Sequence, residues 1–132
     1  MFLELFMEVF FIKVKIKSCL KNINKNTQEI IDTFAIKSKN TFSFYKDNVK
    51  YKLINNLSEI NLIRETNDFI HKFDFISNKQ TKSEYYIKEY NTTIEIDIIT
   101  TKIIKDDKKI EIDYKIVDTD EVFNYTVEMS DY

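Results

Sequence analysis

The chain of 132 residues contains no glycine, no proline and no tryptophan, and only one alanine, Ala35. A typical sequence of this length would hold about 9 glycines and about 7 prolines. Without them, tight turns fall to asparagine, aspartate and their neighbours, which tolerate left-handed backbone better than other residues. Cys19 is alone, which excludes an intrachain disulfide and fits a reducing cytoplasm. His71 is the single histidine, which excludes a multi-histidine metal site. The net charge is −2, so no overall basic field recruits nucleic acid. Arg64 is the single arginine beside 19 lysines. The missing residues need G- or C-rich codons, so the bias reads as coding in an AT-rich genome, and it says nothing about function.

What is abundant is β-forming. Ile, Phe, Tyr, Val and Thr make up 57 of the 132 residues. In the last third, Ile110, Ile112, Tyr114 and Ile116 alternate with Glu111, Asp113 and Lys115. Phe123, Tyr125, Val127 and Met129 alternate with Asn124, Thr126 and Glu128. Period-two alternation marks strands with one buried and one wet face, and therefore an antiparallel sheet. Asn- and Asp-bearing clusters recur near 22–26, 39–40, 47–48, 55–56, 67–68, 77–79, 91, 106–107 and 118–120. They predict strands over 10–21, 28–38, 41–46, 49–54, 58–65, 69–76, 81–90, 92–104, 109–117 and 122–130. Short connections make sequential hairpins. The expected fold is all-β, an antiparallel up-and-down barrel of about 8–10 strands, since closure removes edge strands. Between the eighth and ninth strands, a turn over 105–108 would set Ile103 opposite Ile110 and Ile99 opposite Tyr114. Ile94–Ile98 and Ile99–Ile103 have opposite parity, so a β-bulge is expected near Ile98 and Ile99.

Residues 1–11 are apolar but interrupted by Glu4 and Glu8. They lack the basic start and small-residue cleavage site of a signal peptide and are too short to cross a bilayer. Residues 1–9 are expected to be an N-terminal extension, either a short helix over one end of the fold or an early start ahead of Met7. Residues 10–132 are expected to form one domain.

Several stretches occur together and in order: Leu62, Ile63 and Arg64; Phe73 to Phe75; Tyr86 to Asn91; Ile94 to Ile96 leading into Thr100 to Ile103; and Ile110 to Tyr114. The first third joins through Val14 to Lys17 and the aromatic strand from Thr41 to Tyr45. In these the chain resembles the YwiB-like family of bacterial cytosolic proteins. The family's turn glycines are replaced here, with Asn91 at one position and Thr66 or Asn67 at another. The resemblance implies a calycin-like, broadly lipocalin-like barrel. It implies no activity, because the family has none assigned.

Arg64 stands out among the candidates. It continues the inward parity of Ile60 and Leu62, and its rigid fork is something lysine does not supply. It would anchor a ligand carboxylate or phosphate, or else make a structural ion pair or a cation–π plug. His71 shares a face with Phe69, Phe73 and Phe75, as a polar contact in an aromatic cavity or a rim histidine. Tyr51, Phe73 and Tyr86 are further candidate ligand contacts, with Phe42, Phe44, Phe75, Tyr85 and Tyr90 as other cavity or core aromatics. Glu95, Asp97, Glu111, Asp113 and Glu128 fall on the wet face among lysines. Lys13, Lys15 and Lys17 form a stripe that reads as a phosphate track or, more simply, as solubility and edge protection. No nucleophile–base–orienter set is visible, and no cofactor or metal is expected. The leading expectation is a non-enzymatic cytoplasmic barrel that binds a small apolar or anionic ligand. The alternative is a protein or RNA interaction module with a filled barrel, working through the lysine stripe or an open strand edge. Net charge weighs against nucleic acid, composition against a membrane, and a homodimer stays open.

Overall fold

Alternation of β-branched and aromatic residues with charged ones drives the described residues into extended strands. The computed structural model describes residues 11–132, so the expectation of an extension over residues 1–9 lies outside the described residues. The strands are β1 (Phe11–Asn22), β2 (Thr27–Ser38), β3 (Thr41–Lys46), β4 (Val49–Asn55), β5 (Ile60–Glu65), β6 (Phe69–Phe75), β7 (Lys79–Ile87), β8 (Thr92–Lys105), β9 (Lys109–Ile116) and β10 (Val122–Asp131). Each pairs antiparallel with its neighbours in sequence, and β1 pairs with β10 to close the barrel. Both sides of β1 are therefore occupied, against β2 and β10. The lysine stripe thus guards no edge, and among the described strands there is no open one to recruit a partner.

Turn chemistry is that of a chain without glycine. Asn26, Asp47, Asn48, Asn78, Asn91 and Asp120 all sit at positive φ, between 47° and 64°. Asp47 and Asn48 do so consecutively, the backbone of a tight primed hairpin turn. Asn91, at φ 47°, stands in left-handed backbone as expected. At the β5–β6 turn no positive φ is needed. Thr66 Oγ1 accepts from the backbone N–H groups of Asp68 and Phe69 at 3.1 and 3.2 Å.

The β8–β9 hairpin departs from expectation in two ways. Ile103 faces Ile112 and Lys105 faces Ile110, a slip of two residues that leaves Ile103 on its expected inward face. The cause is a turn set one residue further along, over 106–109, in which Asp106 Oδ1 accepts from the N–H groups of Lys108 and Lys109. The bulge falls between Thr100 and Lys102 rather than at Ile98 and Ile99. Thr100, not Ile99, therefore faces Tyr114 and is fully buried, while its Oγ1 has no hydrogen-bond partner among the described residues.

Inward residues form one continuous core whose two ends differ. Toward the end where β4 finishes and β5 begins, Leu53, Ile60, Ile110 and Val127 are wholly inaccessible. Lys105 covers this end, its Nζ donating to Asn55 Oδ1 at 2.8 Å and to the Asn56 carbonyl. β8 and β4 are separated by three strands in the barrel order, so this contact reaches across the end. Phe42 and Phe75 pack beside Leu53 and Ile60 at this end, and the opposite end carries the polar inward residues.

Candidate functional site

At that second end, Tyr51, Arg64, His71 and Tyr85 are direct cross-strand partners along one row of β4, β5, β6 and β7. The row follows from three successive hairpins with in-phase alternation, since partners on one face of a ladder sit side by side. Arg64 is partly buried. Its guanidinium lies over the Tyr51 ring, 5.8 Å from the centroid. Tyr51 in turn stacks on Phe44 at 4.8 Å. Among the described residues no carboxylate pairs with Arg64, whereas Lys82, Lys88 and Lys102 all have acidic partners. Among the described residues, then, it is the ring contact and not an ion pair that holds this arginine.

Two cavities meet at Arg64. One, about 40 Å³, lies toward Ser18, Tyr51 and Tyr125, with Glu29 on its wall. The other, about 170 Å³, lies toward His71, Ser83, Ile96 and Phe123. Phe73 and Tyr114 wall both. Burial pushes the Tyr114 and Tyr125 phenols up, with Arg64 offsetting part of the effect, so both stay protonated donors near neutrality. Tyr51 shifts the same way for the same first cause.

His71 is held in a defined tautomer. The Ser83 hydroxyl donates to the Lys72 carbonyl at 2.9 Å. With its proton committed there, Ser83 Oγ accepts from His71 Nε2–H at 2.8 Å, which leaves Nδ1 as an acceptor. Burial, and secondarily the Arg64 charge, lower the imidazole to about 4, so it is neutral at pH 7. Its ring packs on Phe73 at 4.1 Å and on the Tyr85 edge at 5.2 Å.

Of the five residues singled out in the sequence, Tyr51, Arg64, His71 and Phe73 converge here. Tyr86 does not. It pairs with Ile70 and Thr93 on the outer surface, where its hydroxyl donates to Asn91 Oδ1 at 2.7 Å. In the Tyr85–Tyr86 doublet only one ring can face in, and it is Tyr85. Tyr90 is also outside, 69% exposed. Sequence reasoning missed Ser18, Ser83, Tyr114 and Tyr125 as site residues. A polar residue on an otherwise apolar parity was the available signal.

The acidic residues of β8 and β9 pair with lysines on the outer face. Lys82 bridges Glu95 and Asp97, and Lys102 bridges Glu111 and Asp113. The lysine stripe has aromatic company that the sequence did not reveal. Lys13 Nζ sits 4.8 Å from the Phe34 ring centroid and 4.2 Å from that of Tyr132. No helix among the described residues is long and apolar enough to cross a membrane.

Neither a family model nor a curated protein matches the chain. Among solved structures, it is similar to the ywiB protein from Bacillus subtilis, with a TM-score of 0.64 and 20% identity. The overlay covers 96% of this chain and 99% of that one. At that identity the likeness shows the fold, a closed barrel shared over nearly the full length of both chains.

Proposed function

We propose that the barrel binds a small ligand bearing an anionic group at its open end, with Arg64 as the anchor and Tyr51, His71 and Phe73 as further contacts. The observation that carries this reading is a partly buried guanidinium with no carboxylate partner among the described residues, placed where two cavities join. A rigid planar fork in a partly desolvated site favours carboxylate or phosphate oxygens over water. Nothing in the arrangement of Arg64, His71 and the tyrosines supplies an activated nucleophile, so the reading is binding rather than catalysis. The order of the resembling stretches and the full-length overlay support placing the chain in the YwiB-like family; a calycin-like barrel and a cytoplasmic setting go with that placement as part of the same proposal.

Native mass spectrometry of the protein purified gently from cells tests the reading. An adduct of small-molecule mass on the wild type, lost in Arg64→Gln at unchanged thermal stability, is expected. The same adduct retained by the variant would remove Arg64 from the site.

A second reading has its own observation. On the outer face of β2 to β5, Phe34, Ile36, Tyr45 and Ile63 border a groove of about 680 Å³ beside Lys50, Lys52 and Glu65. Exposed apolar patches of this kind mark protein contacts. A dimer by light scattering that dissociates in Ile36→Ser would favour this surface.

A further inference from the structure

The walls of the two cavities at Arg64 hold a charge balance that narrows the ligand. Among the described residues they contain one cation, Arg64, and one carboxylate, Glu29. The polar remainder is hydroxyls and a single imidazole, and no lysine reaches either cavity. His71 adds no second positive charge at neutral pH, because burial keeps it neutral. A phosphate monoester brings between one and two negative charges at pH 7 and three acceptor oxygens. One guanidinium beside a carboxylate leaves such a group under-compensated. It does match a single carboxylate, oxygen for N–H, in the bidentate geometry that arginine favours.

Size narrows it further. A dry apolar hole of about 150 Å³ accepts benzene. The larger cavity here is about 170 Å³ and is walled by Phe73, Ile96, Ile98, Ile116 and Phe123. The smaller, about 40 Å³, has room for a few small polar atoms beside the Tyr51 and Tyr125 side chains.

Resting on Arg64 as the anion anchor, we infer that the ligand is a compact monocarboxylate with one ring or an equivalent apolar body. Its carboxylate sits on Arg64 at the junction, and its apolar body fills the cavity between β6, β8, β9 and β10. The neutral tyrosine hydroxyls of the small cavity are donors for the second carboxylate oxygen.

Isothermal titration calorimetry of the full chain with benzoate, phenyl phosphate and benzyl alcohol at pH 7.5 tests this. The single imidazole proton signal of His71, read by NMR, reports occupancy of the larger cavity without any mutation. Benzoate is expected to bind and to shift that signal. Phenyl phosphate and benzyl alcohol are expected to bind at least tenfold more weakly, and Arg64→Gln to weaken benzoate at least tenfold. Phenyl phosphate binding as tightly as benzoate through Arg64 would overturn the monocarboxylate class and leave the anion anchor standing. Benzyl alcohol binding as tightly as benzoate would overturn the carboxylate requirement. Failure of both anions to bind, or indifference of both to Arg64→Gln, would overturn the inference together with the anchor beneath it.

Discussion

The two ends of this barrel are built from the same strands and opposite chemistry. At the closed end, inward positions are apolar, wholly inaccessible at Leu53, Ile60, Ile110 and Val127 with buried Phe42 and Phe75 beside them, and covered by Lys105 reaching to Asn55 and Asn56. At the open end, the equivalent layer is the row of Tyr51, Arg64, His71 and Tyr85, with unfilled volume on both sides of the arginine. A small barrel either fills its interior or keeps room for one small ligand. This one does the first at one end and leaves modest room at the other. Stability is therefore concentrated where alternation is purely apolar, and recognition where the same parity carries polar groups.

The largest effect expected from breaking that division lies at the closed end. Ile60→Ala removes packed methyl groups that have no room to relax, and should cost about 2–5 kcal/mol. Arg64→Gln, at the open end, loses one ring contact and, among the described residues, no ion pair, and should stay within about 1 kcal/mol of wild type. Urea denaturation of the two variants compares the ends directly. Equal losses would mean that the arginine is a structural plug and that the ends do not divide the labour.

Thr100 sharpens the comparison with a change of opposite sign. Its hydroxyl is buried with no partner among the described residues, beside the bulge of β8. Thr100→Val keeps the shape and removes the unsatisfied group, so it should stabilise by about 1–2 kcal/mol. A loss of stability would show that the hydroxyl is satisfied in solution and that this layer is polar by need.

These predictions also show which links were legible from residues alone. Alternation made the strands, the turns and the inward face readable, because each strand has one wet side. Tyr51, Arg64, His71 and Phe73 could be grouped because they lie on three consecutive strands, where register follows from short turns. Ser18, Tyr114 and Tyr125 come from β1, β9 and β10, and reach the site only through barrel closure and tilt, which no local pattern encodes. The bulge was misplaced because Ile98, Ile99, Thr100 and Thr101 are all β-branched and mark no residue as the extra one. Tyr86 lies outside the cluster, and adjacent tyrosines give no clue in sequence to which of them faces inward.

The open end should also reveal itself by pH. His71 drops from its ordinary 6.5 to about 4 in the folded chain, first through burial and then through Arg64. Above pH 6.5 it is neutral in both states and has no effect. As pH falls from 6.5 toward 4, the unfolded chain takes up a proton that the folded chain refuses, and stability declines. Below about 4 both states are protonated and the loss levels off. Discounted for solvent at a half-buried site, the loss is about 1–2 kcal/mol. Glu65 and Glu121, held low by Lys88 and Asn22 respectively, lose their contributions only below their ordinary 4.5, so pH 5–6.5 isolates the histidine. Urea midpoints at pH 7 and pH 5 should differ in the wild type and coincide in His71→Gln. An unchanged slope in the variant would assign the effect elsewhere.

The smallest effect is expected at the turns, and it separates core chemistry from loop chemistry. Asn78 lies in the β6–β7 turn at the closed end and Asn91 in the β7–β8 turn at the open end, at φ 62° and 47°. Both use asparagine where a glycine would fit, because asparagine bears left-handed backbone at low cost. Asn78→Gly and Asn91→Gly should each change stability by no more than about 0.5 kcal/mol, since relief of strain offsets the added freedom of the unfolded chain. Asn91→Ala, which keeps the Cβ and loses the acceptor for Tyr86, should cost about 1 kcal/mol. If the glycine variants instead split by end, with a large loss at one and none at the other, the difference between the ends would reside in their loops as well as in the layers beneath them.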